Sequence, residues 1–359
     1  MLLVVNAGSS SLKLAAFDSE LSQAAQARVE RVTDHAAALG EGLAAMGLPL
    51  QAFSAAAHRV VHGGAVLTAP CRIDAAVMAG IDACVPLAPL HNPANLSGIR
   101  ALAALSPGLP QYASFDTAFH ATNPEVARRY ALPERAEAIG LRRYGFHGLS
   151  YAGIVRKVKD MTEAGAPKRL LALHLGNGAS LCAILDGRSV ATSMGYSPLS
   201  GLTMGSRCGD IDGNAVLRMA QVFGIAETSQ LLNQQSGLLG LGGAADMRGL
   251  AEARTEAARF ARAHFCYWAL RHAGSMVAAM AGLDAIVFTG GIGENDAGIR
   301  AGILTGLGFL GVEFEGGANA ANASILHKTH SNVAVWVVPA EEEGQIAREA
   351  MAVMAGEKR

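Results

Sequence analysis

Two segments far apart in this 359-residue chain read alike, and their likeness limits the fold more than any other feature. Leu2–Lys13 (LLVVNAGSSSLK) matches Leu171–Cys182 (LALHLGNGASLC) in pattern. Each is an apolar, β-prone run, then a turn of Gly, Ser and Asn, then a second apolar run ending near an aspartate, Asp18 or Asp186. Two copies of a strand–turn–strand unit predict a duplicated domain with one small-residue hairpin in each half. Further β-prone runs stand at Ala285–Thr289 and Val333–Val338, with helical patterns between. The clearest helical pattern runs from Thr255 to Ala281, with Phe265, Trp268, Ala269, His272, Met276 and Val277 on one stripe. Strands alternating with helices predict an α/β chain of two domains.

Hydrophobic residues are 51% of the chain and charged residues 16%, enough for sizeable cores. The 29 basic and 30 acidic residues nearly cancel, so no basic face is on offer to a nucleic acid or a membrane surface. Five scattered cysteines without a C-x-x-C pair indicate neither a disulfide framework nor a structural zinc site. The apolar region Tyr267–Phe288 is broken by Arg271, His272 and Asp284 and does not read as a membrane span. The first residues are strand-like, with no basic leader or cleavage site, so a cytoplasmic location is expected. On the same ground the glycosylation-like tripeptides at Asn95 and Asn322 read as coincidence.

Several turns carry residues suited to phosphate chemistry. Asn6–Lys13 offers backbone N–H groups, hydroxyls and a lysine, although a plain tight hairpin reads equally well. It is not a P-loop, whose spacing occurs nowhere in the chain. Gly290–Asn295 follows the apolar run Ala285–Thr289, at the carboxyl end of a strand where open α/β sheets bind ligands. With His174–Gly178 and Asp246–Arg248 it makes three candidate nucleotide turns. Arg59, in His58–Gly64, and Arg207, in Met204–Asp210, sit in glycine-flanked turns where a guanidinium can grip carboxylate or phosphate; a surface ion pair is the plainer alternative. His147 lies between Phe146 and Gly148, a placing that is more often structural. Asp116 is an acid among apolar residues, expected to be paired or metal-bound. Glu341, Glu342 and Glu343 look like a helix start from which one acid can reach magnesium.

Nine segments in order resemble the acetate kinase family, of the acetate and sugar kinase/Hsp70/actin superfamily. They are Asn6–Lys13, His58–Gly64, Ala88–Pro93, Phe115–His120, Arg142–Gly148, His174–Ser180, Thr192–Pro198, Gly205–Asp212 and Phe288–Asn295. The resemblance implies a duplicated ribonuclease-H-like, actin/Hsp70-type two-lobed kinase fold. Residues 1–118 with 342–359 would form one lobe and 119–341 the other, with the active site in the cleft between them. It implies a reversible transfer of the ATP γ-phosphoryl group to acetate, giving acetyl phosphate and ADP, with Mg²⁺ (or Mn²⁺), in a cytoplasmic homodimer. Carried onto this sequence, Asn6 and Glu342 would hold the metal and Lys13 would lie near the phosphates. Arg59 and Arg207 would clamp substrate and phosphoryl group, His147 would stabilise that group, and Asp116 would orient the centre. His174, Leu175, Gly176, Asn177, Gly178, Asp246, Met247, Arg248, Gly291, Ile292, Gly293, Glu294 and Asn295 would line the nucleotide site. Val61, Leu90, Phe146 and Pro198 would form the acyl pocket.

The chain departs from the family in two places. It is shorter between Asp18 and His58, where part of the first lobe's outer sheet is expected, and it has Ala340-Glu341 where the family has Thr-Asn before its acids. Two rival readings are a kinase for propionate or butyrate and a non-metabolic ATPase of the actin/Hsp70 kind. The ATPase has no use for Arg59, Arg207 and His147 in glycine turns. Because a carboxylate acceptor is already ionised at neutral pH, Asp116 is not expected to act as a hydroxyl-activating base.

Overall fold

The computed structural model describes residues 1–162 and 165–357. These fall into two compact units. Met1–Ala121, Phe146–Gly153 and the described residues from Glu341 on form unit 1; Thr122–Gly145 and the described residues of Ile154–Ala340 form unit 2.

Unit 1 is built on strands β1 (Leu2–Ala7), β2 (Ser11–Phe17), β3 (Gln23–Glu30), β4 (Ala55–Val60), β5 (Cys71–Arg72) and β6 (Gln111–Phe115), in the sheet order β3-β2-β1-β4-β6-β5. β1, β2 and β3 form an antiparallel meander, and β4 and β6 run parallel to β1. Every residue of β1 is buried, as an apolar strand covered on both faces must be. One face packs Leu3, Val5, Leu12 and Leu14 against Leu39 and Leu43 of the helix His35–Met46. The other packs Leu2, Val4, Ala55 and Ala57 against Ile346, Ala347 and Ala350 of the helix Glu342–Glu357.

Unit 2 repeats the arrangement with β7 (Arg169–Leu175), β8 (Ala179–Leu185), β9 (Arg188–Thr192), β10 (Ala285–Thr289) and β11 (Ala334–Val337). The order β11-β10-β7-β8-β9 is the first sheet's order again: an antiparallel meander, then two parallel strands added beside its first strand. The duplication expected from the repeated hairpin, and the ribonuclease-H-like α/β fold implied by the family resemblance, are therefore what the chain adopts.

Two local expectations are refined. The short stretch between Asp18 and His58 still holds β3 and the helix His35–Met46, so the meander of the first sheet is complete. The long helix spans Glu256–Ala279, capped by the Thr255 hydroxyl, which accepts from the Ala258 N–H at 3.1 Å. Its buried seam is Ala258, Ala261, Phe265, Ala269, Ala273, Met276 and Val277, while Trp268 and His272 are only half-buried beside it. No helix among the described residues is long and apolar enough to cross a membrane.

Candidate functional site

In unit 1 the candidate residues gather at the carboxyl ends of β1, β4 and β6, where parallel strands deliver neighbouring side chains to one edge. Arg59, near the end of β4, pairs with Ser114 in register, so its side chain reaches Asp116 just past β6. The guanidinium clasps that carboxylate, Nε lying 3.1 Å from Oδ1 and Nη2 lying 2.7 Å from Oδ2. Nη1 lies 3.5 Å from Asn6 Oδ1 and 3.6 Å from Glu342 Oε2. The Asn6 amide in turn donates to Glu343 Oε1 at 3.4 Å, and Lys13 Nζ is 3.9 Å from the same oxygen. Burial works to discharge Arg59, but Asp116, Glu342 and Glu343 outweigh it and hold its pKa above the usual arginine range. Burial pushes the Asp116 carboxyl up, and Arg59 opposes that shift.

His147 is placed by its neighbour. The Gly148 N–H donates to the Asp116 carbonyl at 2.8 Å, and a Cβ on Gly148 would lie 2.3 Å from that oxygen. The close approach puts His147 beside Asp116 in a left-handed conformation, φ 59°, uncommon for a non-glycine and typical of functional positions. His120 Nε2 is 2.9 Å from the Phe146 carbonyl, and burial lowers the pKa of His120 to about 4.

Residues the sequence reading passed over brace the same edge. Asn92 and Asn95, three apart on the helix Asn92–Leu105, accept from the N–H groups of His62 and Val61 at 3.1 and 3.0 Å. Asn95 also donates to the Ala7 carbonyl at 2.7 Å. Their signal was a pair of amides at helical spacing, one of them inside the glycosylation-like tripeptide. Of the acyl-pocket candidates in this unit, Val61 and Phe146 are buried, whereas Leu90 is 48% exposed.

Unit 2 brings its three candidate turns together. Gly290, in the left-handed region at φ 79°, presses against the end of β7, where a Cβ would lie 2.7 Å from the Leu175 carbonyl. Arg262 joins the other two turns: it bonds both Asp296 oxygens, at 2.9 and 3.1 Å, and the Met247 carbonyl at 3.3 Å. Two of the predicted acids have their oxygens engaged by backbone. Asp246 caps the helix Met247–Ala253, and Glu294 Oε1 accepts from the N–H groups of Gly290 and Ala340. Buried Arg300, which the sequence reading did not single out, donates to the Gly293 carbonyl and to Asn319 and Asn322.

The loop carrying Arg207 joins this edge, because the Gly205 N–H donates to the Asn177 carbonyl at 2.9 Å. Among the described residues the one side-chain hydrogen bond of Arg207 goes to the Pro198 carbonyl, at 2.5 Å, and no carboxylate pairs with it. Burial alone accordingly lowers its pKa to about 10. A half-buried guanidinium without a carboxylate partner keeps its charge uncompensated. Among the described residues no group of three or more His, Cys, Asp and Glu is gathered as a metal centre.

Known proteins match this chain in sequence and in fold. A family model described as the acetokinase family matches residues 33–348. The chain is 46% identical to the acetate kinase of Methylocella silvestris, over 84% of this chain and 75% of that one. It is 42% identical to the acetate kinase of Streptomyces avermitilis, over 98% and 97%. Among solved structures, acetate kinase of Porphyromonas gingivalis superposes with a TM-score of 0.90 at 34% identity, covering 98% of this chain and 99% of that one. A propionate kinase from Francisella tularensis superposes with a TM-score of 0.91, also at 34% identity, covering 97% and 98%. With its doubled sheet, its arginine-bearing turns and these matches over most of its length, the chain belongs to the acetokinase family.

Proposed function

We propose that this protein is an acetate kinase, moving the ATP γ-phosphoryl group reversibly to acetate by direct in-line displacement. The observation that carries the acceptor class is the two-pronged clasp of Arg59 on Asp116. A kinase acting on a hydroxyl needs a carboxylate at liberty to take a proton, and Asp116 is committed to a guanidinium. An ionised carboxylate acceptor needs no base, only positive charge around the transferring group. Arg59, Arg207 and His147 supply it. Val61, Leu90, Phe146 and Pro198 are read as the wall around the acetate methyl. His174–Gly178, Asp246–Arg248 and Gly291–Asn295 are read as the nucleotide-binding turns, with Lys13 toward the phosphates.

The oxygen donors of Asn6 and Glu342, grouped about Arg59, suit a hard cation such as magnesium, which takes one or two protein oxygens and leaves the rest to water and phosphate. When bound, magnesium neutralises charge on the phosphate oxygens. Asn6 and Glu342 would hold it, and Glu343, in contact with the Asn6 amide, would orient that ligand. We also read the chain as a cytoplasmic homodimer, since Leu217, Phe223, Ile225, Phe260 and Tyr267 leave much apolar surface open on unit 2.

Trapping acyl phosphate as the hydroxamate, with acetate, propionate and butyrate each supplied with Mg·ATP, tests the assignment. Acetyl phosphate is the expected main product; a clear preference for propionate moves the chain to the second reading, a kinase for a longer acid.

A further inference from the structure

The loop Gly201–Asp212, which carries Arg207, is gripped by the helix Glu256–Ala279 through side chains that the proposed reaction leaves unused. His264, Trp268 and His272 stand at i, i+4 and i+8 on that helix, with successive ring centroids 6.0 and 6.1 Å apart. His264 Nδ1 lies 2.8 Å from Thr203 Oγ1, and the Trp268 indole N–H donates to His264 Nε2 at 3.0 Å. An indole nitrogen only donates, so Nε2 is the acceptor, the imidazole is neutral, and its proton sits on Nδ1 facing the threonine hydroxyl. The Arg271 guanidinium covers the Trp268 ring at 4.7 Å.

At the other end of the loop, His272 Nε2 lies 3.3 Å from Asp210 Oδ2. Asp210 closes the neck of the loop: its Oδ1 accepts from the Gly201 N–H at 2.7 Å, and its own N–H donates to the Gly201 carbonyl at 2.9 Å. Burial pushes the Asp210 carboxyl up, but His272, the Gly201 amide and Arg143 outweigh it and hold the group below its usual value. Between loop and helix lies a cavity of about 430 Å³ lined by Thr203, Cys208, Asp210, His264 and Trp268 among others. Backbone bonds with Leu232, Ser236, Leu238 and Leu239 hold the loop on its far side; across this opening the polar contacts of His264 and His272 are what tie it to the helix. They fall four residues before and three residues after Arg207.

We propose that His264, Trp268 and His272 are positioning residues for Arg207, holding both ends of its loop so that the guanidinium meets the transferring phosphoryl group without rearrangement. The proposal rests on the reading of Arg207 given above.

A double-mutant cycle tests it. His264→Leu with His272→Leu is made in the native chain and in an Arg207→Ala background, and hydroxamate formation is followed at saturating substrates. In the native chain kcat is expected to fall by about 10-fold with KM for ATP within about twofold, while in the Arg207→Ala background no further fall is expected. His272→Gln, whose side-chain amide is able to donate to Asp210, is expected to keep kcat within about threefold of native. An equal fall in both backgrounds overturns the proposal, because the loss then does not pass through Arg207. Thr203→Val cuts the contact from the loop side and serves if the leucine pair does not fold; an unchanged kcat there also overturns it. Native turnover in Arg207→Ala alone refutes the catalytic role of Arg207 itself, and this proposal falls with it.

Discussion

Replacing Gly148 by alanine probes how tightly the reaction depends on the placing of His147. The new methyl carbon would stand 2.3 Å from the Asp116 carbonyl oxygen and 2.9 Å from Phe119 Cβ. Ordinary contact begins near 3.4 Å, so the start of the helix must withdraw by about 1 Å, and the 2.8 Å bond from the Gly148 N–H must stretch with it. A displacement of about 1 Å at a group that meets the reacting phosphoryl costs on the order of 10²-fold in rate. The turns proposed to bind the nucleotide belong to unit 2 and keep their own bonds, so KM for ATP is expected to stay within about twofold. Hydroxamate formation measured against ATP and acetate separates these quantities, with circular dichroism to check the fold. A folded Gly148→Ala enzyme whose kcat stays within about threefold of native refutes the reasoning, since it shows that His147 can shift without consequence.

Arg59→Ala and Arg207→Ala are each expected to cut kcat by roughly 10²- to 10⁴-fold, but with opposite effects on stability. The first strands Asp116 without its cation and lowers the unfolding midpoint; the second removes an uncompensated buried charge and leaves the midpoint unchanged or higher, as denaturant titration will report. Glu342→Ala is expected to raise the magnesium concentration needed for half-maximal rate more than Glu343→Ala does, and the reverse order reassigns the ligand. Val61→Ala opens room for one more methylene and is expected to shift kcat/KM toward propionate by about 10-fold; a change in ATP binding instead removes Val61 from the acyl wall. His58 and His120, both lowered by burial from 6.5 to about 4, are neutral when folded and take up protons on unfolding. Their contribution is complete above pH 6.5 and is lost as pH falls toward 4. Unfolding free energy should drop by about 2 kcal/mol per histidine between pH 7 and pH 5, and His120→Asn should flatten that slope.

The doubled architecture was legible because β1 and β7, buried on both faces, carry long apolar runs, and because glycine and serine mark the hairpins after them. β3 and β4 were harder to read. β3 is an edge strand, QAAQARVE, with most side chains in water, and β4 begins with three alanines, weak strand formers that pack because the helices come close. The site was legible as residue types and not as pairings. Arg59 and Asp116 are 57 residues apart and meet only because β4 and β6 lie parallel in one register. Trp268 and His272 show a similar ambiguity. Their spacing fits the helix's apolar stripe, but an arc that wide serves two partners, and only the packing assigns Phe265 and Ala269 to the core and the other two to the Arg207 loop.

Unit 1 is finished by a helix made long after its first sheet, Glu342–Glu357. Ile346, Ala347 and Ala350 cover the face of Leu2, Val4, Ala55 and Ala57, and the same helix brings Glu342 and Glu343 to Arg59 and Asn6. A ribosome must add residues 122–340 after the first sheet has emerged, about 10–40 s at ordinary rates of synthesis. Through that interval the nascent first sheet shows one apolar face to water and to chaperones, while unit 2 can already close around its own strands. Glu342, proposed above as a magnesium ligand, follows only after that interval. A ribosome stalled short of Glu342 therefore releases a product with an uncovered sheet, the kind of surface that quality-control proteases select.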